Sequence, residues 1–496
     1  MRVRGAPAVA VAALLAVAVL AAACGGSGSV FGTSTSVPAP TTTLPASSTT
    51  RPAPTTNTSA VPETTTAPTT TTVLPPPLVW ARVPHDEAVF GGAGDQWASS
   101  VTAGGLGLVA VGGSQGPEFA PEGSDGDAVV WVSTDGLEWE RIADLAVFGG
   151  PGDQTLNAVT AGGPGLVAVG TDTSGGDIDA AVWVSADGYQ WERVPHDEAV
   201  FGGSWDQVMD SVTAFDSGLV AVGFDGSSWP GNGAVWLSAN GYAWTRLSRD
   251  ASGLGGEGYQ ALRTVITGGP GLVAAGMEER LTEDGVSVGW PRGDAAPGVV
   301  ETGVAMMRGQ TTLGSAVRRG EPTLDGMVWV SPDGRSWDRV GDPLVFGGAG
   351  DQRIYSLASG GSRLVAAGSD TVGGEDDAAF WWSDDGRSWE GVGHSEGLFG
   401  GSGAQAVYSV IAGGKGVVAA GEAHAGGGLG VGAVWVSVDG ETWARADTSP
   451  SRADCAIYAL AASGSRLVAV GYCTGEQLGG GHTSLNMAVW VSPPPD

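Results

Sequence analysis

The chain has 496 residues, 53 acidic and 23 basic, for a formal charge of −30, with 85 glycines, 28 prolines, 19 tryptophans and three cysteines. Beyond residue 78 there are 52 acids against 20 bases, and Lys415 is the one lysine, which excludes a nucleic-acid partner because phosphate recognition needs clustered basic side chains. Five scattered histidines form no paired metal-ligand motif, and neither a phosphate loop nor a Ser/His/Asp signature is present.

Residues 1–23 have the three parts of an export signal: Arg2 and Arg4, an apolar run from Ala6 to Ala23, and a small-residue stretch ending at Cys24. The run is shorter than a comfortable membrane span. The stretch Leu20-Ala21-Ala22-Ala23-Cys24-Gly25 resembles the lipobox of bacterial lipoproteins, with Ala21 where leucine is commonest and the leucine one place early. The resemblance implies lipid attachment at Cys24 and a place on the outer face of the cell membrane; the alternative is an ordinary secretory signal and a secreted protein. Residues 24–78 are almost all Thr, Pro, Ser, Ala and Gly, which cannot bury enough apolar surface to fold. They read as a disordered stalk, able at ~3.1 Å per residue to reach on the order of 160 Å.

Residues 79–496 repeat. A tryptophan inside an Ala-Val-Trp-Val-Ser-like run recurs at Trp131, Trp183, Trp236, Trp329, Trp381, Trp435 and Trp490, in steps of 52, 53, 93, 52, 54 and 55. A second series runs through Trp80, Trp139, Trp191, Trp244, Trp337, Trp389 and Trp443. Within residues 155–194 the unit reads as four short apolar runs separated by Gly, Pro and Asp turns, a four-stranded antiparallel meander. Seven copies predict an all-β, seven-bladed β-propeller. The chain finishes on a third strand, Ala488 to Ser492, and the folded part begins with an orphan fourth, Trp80 to Val83. The N-terminal strand is therefore expected to complete the last blade and close the ring. A monomer is expected.

The turn Ser133-Thr134-Asp135-Gly136-Leu137-Glu138-Trp139 recurs at Ser185, Ser331, Ser383 and Ser437 and resembles the Asp-box of sialidase-type propellers, one residue shorter between Asp and Trp. Asn240 takes the same slot in the third unit, which points to a hydrogen-bond acceptor for the turn and not to a charge. The resemblance implies the propeller fold and places this turn away from the active face. A sialidase would need an arginine cluster, a Tyr–Glu pair and an Asp acid. Arg82 and Arg193 share one outer-strand slot with Arg141, Arg246, Arg339 and Arg445, so they read as scaffold, and only Arg263 and Arg353 stand near inner-strand starts. A diverged glycoside hydrolase is thus the alternative, behind a non-enzymatic module for glycan, cell-wall or protein ligands.

The candidate binding face comes from the crossovers between units, Phe90 to Gln96 and its equivalents. It carries Asp95, Gln96, Asp153, Gln154, Asp206, Gln207, Gln260, Asp351, Gln352 and Gln405, joined by Tyr259, Arg263 and Arg353 where the repeat breaks. No cofactor is called for, although oxygen ligands of this kind suit Ca²⁺; recurrence in blade after blade favours blade-to-blade hydrogen bonding instead. Trp205, Trp229 and Tyr355 are further irregular aromatics suited to sugars, and the largest break is an insertion at 277–325. Cys455 and Cys473 lie nine residues either side of Gly464, opposite each other across a hairpin, and are expected to form a disulfide.

Overall fold

The computed structural model describes residues 78–492 apart from positions 93, 117–124, 143–144, 217, 229, 257, 281–322, 361–362, 373, 414–415, 425–429, 447–453 and 479–481. These residues belong to one compact unit, Thr70–Asp496. The export signal, Cys24, nearly all of the stalk, most of the insertion and Trp229 lie outside the described residues. No helix among the described residues is long and apolar enough to cross a membrane.

Seven four-stranded antiparallel sheets form the blades of a propeller. Blade 2 shows the plan: Gln154–Gly162 innermost, then Gly165–Asp172, Asp179–Ser185 and Trp191–Arg193. The innermost strands of the other blades are Asp95–Gly104, Gln207–Phe215, Gln260–Gly268, Gln352–Gly360, Gln405–Gly413 and Cys455–Ser463, and each packs against its neighbour around the axis. Closure is as expected. The strand Ala81–Arg82 pairs with Val491 and Trp490 of the last blade, and Val83 N–H donates to Val489 O at 2.9 Å.

The strand pattern follows from burial on both faces. Runs such as Ala128–Ser133 and Asp179–Ser185 are buried throughout because each blade is sandwiched between two others. The third-strand tryptophans are 0–4 % exposed. The indole N–H of Trp131, Trp183, Trp236, Trp381 and Trp435 donates to Val89, Val147, Val200, Val345 and Leu398, tying each blade to the crossover before it. Truncating one of these indoles to alanine costs ~3–5 kcal/mol by the usual large-to-small rule. The second tryptophan series closes the turn below: Trp139 Nε1 donates to Gly136 O at 3.0 Å, and five other blades repeat the bond. In that turn Ser133 Oγ accepts from Gly136 N, while Asp135 Oδ1 accepts from Leu137 N and Glu138 N. Asn240 accepts from Tyr242 N and Ala243 N in the same way, so the slot does require an acceptor.

Five of the crossovers contain a one-turn helix that the sequence reading had as loop: Glu87–Phe90, Leu145–Phe148, Arg249–Ser252, Pro343–Phe346 and Glu396–Phe399. Asp86 and Asp342 cap two of them, each carboxylate accepting a backbone N–H two residues on. The insertion is narrower than 277–325, since Met277 to Glu279 and Leu324–Asp325 are strand residues; Arg280 N–H donates to Thr323 O, pinning its two ends together. Cys455 and Cys473 are register partners and form a disulfide, 4.0 Å apart at Cα.

Candidate functional site

Each innermost strand slips register by one residue, a β-bulge, three places beyond the residue that opens the ladder at the crossover end in blades 2–7 and at the corresponding place in blade 1. The bulged residues are Ser99, Asn157, Asp210, Arg263, Tyr355, Tyr408 and Tyr458. Their identity changes from Ser, Asn, Asp and Arg in the first four blades to tyrosine in the last three. A bulge leaves a ladder N–H to be satisfied elsewhere, and the preceding blade supplies the acceptor: Ser100 Oγ for Val159 N, Ser211 for Val265, Ser356 for Val410 and Ser409 for Leu460, at 3.1–3.3 Å.

The bulged side chains form a belt around the axis, polar on one arc and aromatic on the other. Asn157 Nδ2 donates to Met209 O at 3.0 Å, and Arg263 Nη1 donates to both oxygens of Asp210 at 3.4 Å. Burial pushes the Asp210 carboxyl up, with Arg263 pulling the other way. On the aromatic arc the ring centres of Tyr355 and Tyr408 are 5.7 Å apart, those of Tyr408 and Tyr458 5.0 Å, and those of Tyr458 and Tyr472 5.7 Å. Tyr408 OH donates to Glu422 Oε1 at 2.5 Å, and His424 Nε2 stands 3.4 Å from the same oxygen. Burial, then the Glu422 carboxylate, push the Tyr408 phenol well above its usual range.

At the crossover end the repeated Asp and Gln residues are committed to the frame. Asp95, Asp153, Asp206 and Asp351 accept backbone N–H groups of Leu485, Gly126, Ile178 and Leu324, so each staples its own blade to the start of the preceding blade's third strand. The glutamines are buried and turned inward: Gln154 donates to Asp172, Gln207 to Asp225, Gln260 to Glu278 and Gln352 to Asp370, while Gln96 and Gln405 donate to the carbonyls of Gly94 and Gly403. Three of those second-strand carboxylates, Asp172, Asp225 and Glu278, also hold the outer-strand arginines Arg193, Arg246 and Arg339, which completes a polar chain across each of these blades. Arg353 is held by Asp351 at 2.6 Å and Asp376 at 3.5 Å. Tyr259 lies beside Phe224, the rings tilted by 39° with centres 5.3 Å apart, and Gly226 lies between the Phe224 ring and Trp205, a residue 56 % exposed.

The structure thus brings together Arg263, Tyr355 and the belt, while Arg353 is engaged by two acids of its own surroundings. The sequence reading missed Asn157, Asp210, Tyr408, Tyr458 and Glu422. For the first six blades the available signal was a fixed offset, the third residue after the recurring Gln, which is Ser99, Asn157, Asp210, Arg263, Tyr355 and Tyr408; blade 7 has Cys455 in place of the Gln.

No family model matches the chain, and no curated protein matches it. Among solved structures it is similar to the β-propeller domain of the Trilobed protease from Pyrococcus furiosus, at 8 % identity over 80 % of this chain and 94 % of that one, with a TM-score of 0.38. It is also similar to a GH32 β-fructofuranosidase from Bombyx mori (10 % identity, 56 % of this chain, 59 % of that one, TM-score 0.32) and to an acylaminoacyl peptidase from Pyrococcus horikoshii (11 %, 76 %, 51 %, 0.36). The chain spans little more than half the length of the Bombyx enzyme. The activities in those names belong to those proteins.

Proposed function

We propose that this chain is an exported, lipid-anchored propeller that binds a saccharide ligand without turning it over. The ligand would seat at the crossover end of the central axis, on the tyrosine arc, with Trp205 and the Phe224–Tyr259 pair as an outer aromatic platform. The observation that carries the reading is the belt: asymmetry in a seven-fold repeat is concentrated at Asn157, Asp210, Arg263, Tyr355, Tyr408 and Tyr458. Aromatic faces beside hydrogen-bonding side chains suit a sugar's apolar and hydroxyl faces. Cys24 and the Thr/Pro-rich segment would hold the domain clear of the membrane.

One observation favours the hydrolase alternative, the Tyr408–Glu422 hydrogen bond, since a Tyr–Glu pair is what a sialidase-like enzyme would use. A tyrosine nucleophile needs its phenol pushed down, and here burial and the carboxylate push it up. Arg263 of the belt and Arg353, next to the opening Gln of blade 5, are already paired with acids. The experiment is a binding screen of surface-polysaccharide fragments against the full-length protein, Trp205→Ala and Tyr408→Ala, with release of reducing sugar assayed in parallel. Saccharide retention weakened about tenfold in each variant, ~1.4 kcal/mol, with no sugar released supports the proposal. Release abolished by Glu422→Gln replaces it with the hydrolase, and retention indifferent to both substitutions removes the site.

A further inference from the structure

One place near the crossover end of the third strand, four residues before its tryptophan, is equivalent in every blade, and its seven occupants differ in charge. They are Asp127, Asp179, Asn232, Asp325, Asp377, Val431 and Asn486, and they face Ser114, Asp172, Asp225, Glu278, Asp370, Ala423 and Cys473 of the second strands. Where the occupant is Asp325, Arg280 grips it, Nε to Oδ2 at 3.0 Å and Nη2 on Oδ1, and Gly347 lies against both groups. Asp127 has the field of Arg141. Asn232, Val431 and Asn486 are uncharged. Asp179 and Asp377 remain, 7 % and 5 % exposed, and among the described residues their ion-pair partners are histidines, not arginines.

In those two blades the next crossover brings a histidine and a glutamate instead. His196 Nε2 lies 3.9 Å from Asp179 Oδ2 and 3.2 Å from Glu198 Oε2. His394 Nε2 lies 3.7 Å from Asp377 Oδ2 and 3.5 Å from Glu396 Oε2. In each trio one ligand atom per residue falls within 4.8 Å of the others. Asp179 Oδ1 is buried and accepts no hydrogen bond among the described residues. It points at the space over Gly202, where an added Cβ would stand 3.0 Å from it and 2.6 Å from Glu198 Oε2; over Gly400 the same construction gives 3.0 Å to Asp377 Oδ1 and 2.9 Å to Glu396 Oε2.

We infer that Asp179, His196 and Glu198 form one divalent transition-metal site, and Asp377, His394 and Glu396 a second. Each stands where blade 4 places the guanidinium of Arg280. One imidazole nitrogen with two carboxylates is a Zn²⁺-type donor set, whereas Ca²⁺ prefers oxygen alone. Glu198 and Glu396 are exposed, so each site keeps a solvent-facing position for water or a ligand group. A bound ion would join the third strand of one blade to the segment leading into the next. His85 and Glu87 hold the same places in the crossover that follows blade 7, where the equivalent third-strand residue, Asn486, has no charge to give, and serve as the internal control.

The test is Zn²⁺ titration of the chelator-treated full-length protein by calorimetry, with Co²⁺ absorption as a second readout and circular dichroism as a check on folding. Two equivalents are expected, falling to one in His196→Ala and to none in His196→Ala/His394→Ala, unchanged in His85→Ala and undiminished by excess Ca²⁺. Asp179→Asn should remove half of the Co²⁺ absorption if its side chain coordinates. Failure of Zn²⁺ to saturate, or a stoichiometry that survives the double histidine substitution in folded protein, overturns the inference.

Discussion

At the level of single residues the molecule uses carboxylates chiefly as acceptors for backbone N–H groups. Asp385 shows it most strongly: the N–H groups of Ser388 and Arg387 hold its carboxyl down at about 2, and Asp135, Asp187 and Asp333 are held low by the same pair of donors. A carboxyl with a depressed folded value contributes stability above its unfolded value near ~3.9, and that contribution is lost as pH falls toward the folded value. Acid unfolding monitored by tryptophan fluorescence should therefore develop between about pH 4 and pH 2 through these turns. Replacing Asp187 by Asn, as blade 3 does naturally with Asn240, should leave neutral-pH stability almost unchanged, whereas Asp187→Ala should cost ~1–2 kcal/mol in denaturant unfolding. This role was legible from Asn240 alone. The pairing of Asp179 with His196 was not, because the third strand and the following crossover meet only once the blade has folded.

Among elements, the inner-strand bulge does most to set the site, and it left little trace in the sequence. Apolar alternation shows a strand but not a register slip, so Tyr355 stood out as an irregular aromatic while Tyr408 and Tyr458, at the same place in the next two blades, did not. The hydroxyls that accept the N–H groups beyond the bulge make a direct check possible. Ser211→Ala should strand the Val265 N–H between two blades and cost ~1–3 kcal/mol, read as a shift in urea midpoint. The hairpin of blade 7 was easier to read, because symmetric placement of Cys455 and Cys473 about Gly464 fixes their opposition. Replacing both by serine removes a loop of 18 residues' separation from the cross-linked chain and should lower stability by ~3 kcal/mol relative to the oxidised protein. The one-turn helices were missed since four residues are too few for a 3.6-residue period to declare itself, although Asp342-Pro343 carried the capping signature.

For the molecule as a whole, counting tryptophans was enough to see seven units, and the complementary ends were enough to see how they close. What counting could not supply is the difference between one blade and the next, which is where Arg280 answers Asp325 and His394 answers Asp377. Deleting residues up to Val83 should leave blade 7 with three strands and uncover the Trp490 side, so the truncated chain is expected to unfold at lower temperature and over a broader range in calorimetry. The same closure governs how the protein bears load. Tension arriving through the residues before Trp80 meets the domain at the outermost strand of blade 7, where the pairing is two residues long, Ala81 to Val491 and Arg82 to Trp490. The disulfide lies two strands further in, between Cys455 and Cys473, outside that line of force. A pull on the N-terminus would therefore peel this strand away first, a mechanical fuse that yields while the cross-linked hairpin beside the axis stays shut.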